Sequence, residues 1–113
     1  MDTVSQQLVE ISQWVDNSPA NKDRDPEALT WHRVTKPAEE AGEAIDEMIK
    51  FTGGNPRKEK TINDSALVEE LLDTALAALG GIEHLRGHTG TALNLLEDKI
   101  ARVHLRAMEA KTW

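Results

Sequence analysis

The chain contains no cysteine, which excludes a disulfide framework, thiolate metal ligands and a cysteine nucleophile. It has no tyrosine and a single phenylalanine, and β-branched runs are few, so strand-forming segments are scarce. No apolar run approaches the roughly 18 residues needed to cross a bilayer. The opening segment from Met1 to Asp16 lacks a basic or apolar signal-like region, and a reducing cytoplasm is the expected setting. Basic residues are also short. Lys and Arg number 13 against 20 Asp and Glu, a formal net charge of −7, which argues against holding nucleic acid through its phosphates. The 113 residues, 39% hydrophobic and 29% charged, are expected to form one domain spanning 1–113 with a core of its own.

Ala, Leu, Glu and Lys are abundant and fall at helical spacing, so the chain reads as all-α. A first helix is expected from Val4 to Val15, with Thr3 and Gln6 as a capping box and Val4, Leu8, Ile11 and Val15 as its inner stripe. A polar surface loop follows from Asn17 to Asp25. Asp25 then caps a second helix with Pro26 in its first turn, and Gly53-Gly54 ends it. Pro37 removes a backbone donor inside this stretch and predicts a kink or break between Thr35 and Pro37. After a loop from Thr52 to Asn63, a third helix is expected over Ser65–Arg86, capped by Asp64 or Ser65 and closed by Gly87. Its inner stripe would be Leu67, Leu71, Ala75, Ala78, Ile82 and Leu85. A last helix is expected over Thr91–Glu109, with Leu93, Leu96, Ile100, Val103 and Ala107 facing inwards. The expected architecture is a bundle of four to five helices.

The acids are grouped. Glu39, Glu40 and Glu43 form E-E-x-x-E on the second helix, and Glu69, Glu70 and Asp73 form E-E-x-x-D on the third. Carboxylates three apart stand one turn apart on one helix face, so Glu40 with Glu43, and Glu70 with Asp73, can each grip one hard cation. Two such pairs facing each other would offer oxygen donors suited to magnesium or manganese, whereas zinc would ask for His or Cys. The competing reading is a solvated face, because Glu40, Glu43 and Glu47 lie almost opposite the apolar stripe of their helix. The third helix weighs against it. The face carrying Glu70 and Asp73 continues through Ala66, Ala77, Gly80 and Gly81, small residues that suit close approach.

On the last helix, Lys99, Arg102 and Arg106 fall on one edge, as cations for phosphate oxygens would. The bland alternative is an Asp98–Arg102 surface pair and cations favoured near a helix C-terminus. Acids that collect metal and bases that collect phosphate together describe a site for a metal–polyphosphate substrate. His32, His84, His88 and His104 form neither H-E-x-x-H nor E-x-x-H, which speaks against a ferritin-like oxidase. Trp31 is a candidate for stacking on a nucleobase, although an aromatic on a helical stripe is more often core.

The run Glu39-Glu40-Ala41-Gly42-Glu43, followed after 26 residues by Glu70-Leu71-Leu72-Asp73, resembles the signature of the MazG-like branch of the all-α nucleoside triphosphate pyrophosphohydrolases. The run from Lys36 to Ala44 and the loop from Thr52 to Lys58 are similar as well, and the resemblance extends from about Val34 to Arg106. It implies Glu40, Glu43, Glu70 and Asp73 as magnesium ligands, with Glu39 orienting or deprotonating the water. The implied activity is hydrolysis of a ribo- or deoxyribonucleoside triphosphate to the monophosphate and pyrophosphate. Lys99, Arg102, Arg106, Arg57 and Lys58 would neutralise the phosphates. A homodimer or homotetramer is implied too. Pro37 departs from the pattern, since relatives usually carry an ordinary helix former there. The alternatives are a non-catalytic helical interaction module, or hydrolysis of phosphoribosyl-ATP by the same metal logic.

Overall fold

A computed structural model describes residues 1–54 and 63–111. The loop expected over 52–63 is therefore seen only at its ends, and Arg57 and Lys58 lie outside the described residues. Those residues form four helices and no strand: α1 (Thr3–Asp16), α2 (Pro26–Phe51), α3 (Ser65–Leu85) and α4 (Ala92–Glu109). None is long and apolar enough to cross a membrane.

The local chemistry at most helix ends is what the residue types dictate. Asp25 accepts a hydrogen bond from Ala28 N–H ahead of Pro26, and Gly53 and Gly87 adopt the left-handed φ of 74° and 72° that ends a helix. Two caps differ from expectation. Asp2, rather than Thr3 with Gln6, caps α1 through bonds from Ser5 N–H and Ser5 Oγ, because a carboxylate outcompetes a hydroxyl for orphan amides. At α3, Asn63 Oδ1 accepts from Ser65 N–H, and Asp64 makes no side-chain cap bond.

Pro37 does not break α2, which runs continuously from Pro26 to Phe51. Proline leaves the carbonyl four residues earlier, that of Arg33, without its helical partner. This carbonyl faces α3 at Gly81, where an added Cβ would lie 3.1 Å from the oxygen. The mid-helix proline and the glycine pair of α3 are thus complementary: glycine lets the two backbones approach where α2 has a carbonyl to spare.

The pairs Arg33 with Gly80 and Gly81, and Glu43 with Glu70, run in opposite senses along the chain, so α2 and α3 form an antiparallel hairpin. α1 lies across its Arg33 end, where Ser12 Oγ donates to the Gly80 carbonyl. The closed bundle of the expected stripes is not formed. Among the described apolar residues only Leu8, Val9, Ala44 and Ala92 are buried. Val4, Ile11, Leu71, Leu85, Leu96, Ile100 and Val103, all expected to face inwards, are exposed. A cause is α4, which stands off from α3 across an open groove and buries nothing of its own but Ala92. The Cα radius of gyration is 17.3 Å, against about 13 Å for a compact chain of this length.

Candidate metal and substrate site

On one face of the hairpin, Glu40 and Glu43 of α2 meet Glu70 of α3, each offering an oxygen within 4.8 Å of the others. Helical spacing puts Glu40 and Glu43 on one face, and the antiparallel register supplies Glu70 opposite them. One oxygen of Glu70, Oε2, is shut off from solvent and has no hydrogen-bond partner, the one such side-chain atom among the described residues. The Glu70 carboxyl is held above the usual range, first by burial and then by the adjacent Glu43 carboxyl and the charges of Asp73 and Glu40. An orphaned carboxylate oxygen among like charges is a donor set that a hard divalent cation would satisfy, so the residues fit magnesium.

Asp73 is exposed and outside this three-oxygen cluster. With Glu40 it lines a cavity of about 370 Å³ between α1, α2 and α3. Its other lining residues are apolar or small, Ile11, Trp14, Val15, Leu76, Ala77 and Gly80, together with the polar His32, Arg33 and Lys36. Lys36 reaches Glu39 and Glu40 at 3.4 Å each. Burial opposes the charge of Lys36, but the neighbouring Glu39 and Glu40 outweigh it and hold the amine above its usual range. Glu39 is otherwise exposed beside the cluster. Glu47, one turn beyond Glu43, pairs with Lys50 at 2.6 Å.

The expected cations of α4 are not brought to the acids within one chain. Lys99 and Arg102 line a groove against Ala75, Ala78, Leu79 and Ile82, a face of α3 turned about 180° from Asp73 and Gly80 at 100° per residue. Arg106 lies exposed in the last turn of α4. Trp31 stands 66% exposed over a shallow depression with Glu27, Thr30 and Val34, away from the acid-lined cavity. Trp14, in which the sequence shows no pattern, is the tryptophan that lines it.

Behind the cavity runs a polar network with no signature in the sequence. Arg33, almost fully buried, donates to the carboxylate of Asp16, to Ser12 Oγ at 2.9 Å and to the Ser12 carbonyl at 3.1 Å. Its guanidinium passes over Gly80, where a Cβ would lie 2.9 Å from Nη2. His84 Nδ1 lies 2.7 Å from Asp16 Oδ2, and His88 Nε2 lies 2.9 Å from Ser12 Oγ. Burial raises the Asp16 pKa, but the bonds from His84 and Arg33 outweigh it, and the carboxyl sits below its usual range. Glu83 is also buried, accepting from Gly90 N–H and Ala92 N–H at 2.9 Å each, which caps α4 from inside α3. Its partners are backbone amides, which any non-proline residue supplies, so no residue pattern in the sequence points to Glu83. Comparison with known proteins adds no relative: no family model, no curated protein and no solved structure matches this chain.

Proposed function

We propose that the chain is a magnesium-dependent hydrolase of ribo- or deoxyribonucleoside triphosphates that releases the monophosphate and pyrophosphate. The observation that carries this reading is the meeting of Glu40, Glu43 and Glu70, with a buried, unpartnered carboxylate oxygen on Glu70, beside the cavity of about 370 Å³ that Glu40 lines. Glu40, Glu43, Glu70 and, at the cavity rim, Asp73 would hold the ion. Magnesium, or manganese in its place, supplies charge neutralisation at the phosphates and a lowered pKa for bound water. The rest is done by the chain. Trp14, Ile11 and Leu76 offer the flat apolar surface on which a base stacks. Lys36 neutralises phosphate oxygens, and substrate takes the place of its ion pairs to Glu39 and Glu40. Glu39, released from Lys36, accepts the proton of the attacking water. Attack at the α-phosphorus forms one P–O bond and breaks the bond to the bridging oxygen of the β-phosphate, so the β and γ phosphates leave together.

The reading includes a homo-oligomer. It is supported by the exposed apolar residues of α4, among them Leu95, Leu96, Ile100 and Leu105, and by the small buried core of one chain. A second copy would also be the means of bringing Lys99, Arg102 and Arg106 towards the acids. The deciding experiment incubates a panel of nucleoside triphosphates with the protein and magnesium and identifies the products. Pyrophosphate with monophosphate supports the reading, and orthophosphate alone refutes it. Sedimentation at micromolar concentration tests the assembly, which a monomeric mass with full activity would rule out.

A further inference from the structure

We propose that Asp16, His84 and His88 form a second cation site, for a first-row transition ion of the zinc class, where the end of α1 meets the end of α3. The site is separate from the acid cluster. His84 lies 14 residues beyond Glu70 on the same helix, roughly 20 Å along its axis. A single oxygen, Asp16 Oδ2, faces both imidazoles, with His84 Nδ1 at 2.7 Å and His88 Nε2 at 3.4 Å. The three donor atoms lie within 4.8 Å of one another. An ion bound tetrahedrally at about 2.0 Å spaces its donors roughly 3.3 Å apart, so of the two edges that meet at Asp16 Oδ2 the one to His88 already fits and the one to His84 needs a small spread, while the two imidazole nitrogens lie within 4.8 Å of each other. All three side chains retain some solvent contact, between 13% and 19% of their surface, which leaves a route for the ion and room for a water as further ligand.

Asp16 and His84 have behind their donor atoms the supports a metal site needs, while His88 Nε2 gives up its proton and its bond to Ser12 Oγ to take the ion. Arg33 occupies the other carboxylate oxygen, Oδ1, and so fixes the direction of Oδ2. His84 Nε2 lies 2.9 Å from Thr30 Oγ1. When an ion takes Nδ1, the proton moves to Nε2 and donates to that hydroxyl, the outer hydrogen bond that orients a ligating histidine. His88 carries an independent sign. It is the one non-glycine residue with a left-handed backbone, φ 60°, among the described residues, and follows Gly87 at φ 72°. Glycine would sit there without strain, yet the chain places an imidazole there and aims it at Ser12 and Asp16. Two nitrogen donors favour zinc, nickel or copper over magnesium, so this site and the acid cluster select different ions. The guanidinium beside Asp16 weakens the carboxylate as a donor and sets the affinity below that of a closed four-ligand site.

The test uses the full chain, tag-free and stripped with chelator, titrated with zinc chloride alone and followed by calorimetry and thermal melting. One zinc per chain is expected, with a rise in melting temperature of at least about 5 °C at a hundredfold excess over the dissociation constant. His88→Gly removes the imidazole while favouring the left-handed backbone, so it folds and loses the zinc effect. Glu70→Gln disables the acid cluster and keeps the zinc effect. Absence of zinc binding by the parent chain overturns the proposal. So does a zinc effect that survives His88→Gly, whether or not Glu70→Gln abolishes it.

Discussion

Replacing Glu83 tests whether one buried carboxylate fixes the joint between α3 and α4. Its two oxygens accept from Gly90 N–H and Ala92 N–H at 2.9 Å each, and the side chain is closed to solvent. Hydrogen bonds to a charged group contribute about 1.5–3 kcal/mol each, so Glu83→Ala, which also strands two buried amides, is expected to cost about 3–6 kcal/mol. That is a large share of the roughly 5–15 kcal/mol that holds a domain of this size together. Glu83→Gln keeps the shape and one acceptor but turns an amide NH2 towards the second N–H, so about half the loss, 1.5–3 kcal/mol, is expected. Urea unfolding at fixed protein concentration measures both values, and hydrogen exchange at Gly90 and Ala92 localises them. A Gln variant within about 0.5 kcal/mol of the parent, with exchange at those two amides unchanged, would refute the reasoning.

Asp73→Asn should abolish magnesium-dependent turnover with the melt unchanged, whereas Glu47→Gln, which loses only the Lys50 pair, should leave turnover intact. Equal mild effects in both would make the acids a solvated face. Gly42→Ala meets nothing within 4 Å and should stabilise by about 1 kcal/mol, while Gly81→Ala, with its Cβ 3.1 Å from the Arg33 carbonyl, should destabilise by about 1–3 kcal/mol in chemical denaturation. The bond from Ser5 N–H is the main cause holding the Asp2 carboxyl below its usual range. Because the folded pKa is the depressed one, the cap's contribution is complete above about 3.9 and fades as pH falls through the lowered value. Asp2→Asn, which keeps a capping oxygen, should therefore show a shallower loss of melting temperature in acid.

Features written over a few neighbouring residues could be read directly. Asp25 before Pro26, Gly53 and Gly87 mark three helix ends, and the spacing of Glu40 and Glu43 presents both on one face. What depends on distant partners could not. Asp16 meets Arg33 and His84 across 17 and 68 residues, and Ser12 meets His88 across 76, so no local pattern reveals that two imidazoles share one carboxylate. Of the kink or break expected at Pro37, the break does not occur: the rule for a helical proline counts the lost bond, whereas here the freed carbonyl lies against a glycine of the next helix. The apolar stripes of α3 and α4 marked which faces are apolar, but periodicity does not say what covers them. Leu71, Leu96 and Ile100 follow the pattern and remain exposed within one chain. The same limit hid the choice between Trp14 and Trp31, which only the packing of α1 against α2 and α3 decides.

If copies of this chain join as proposed, the bonds that Glu83 accepts from the start of α4 also bear on how tightly they do so. An arm on a loose joint must be ordered when it docks, and that lost freedom is subtracted from the affinity. Here α4 leaves α3 already fastened at Gly90 and Ala92, so it presents its leucines in one direction before any encounter. In the proposed assembly, the dissociation constant between copies would then depend on a residue buried inside each of them. Loosening Glu83 would weaken that proposed assembly through lost pre-ordering of α4, without altering the exposed leucines themselves.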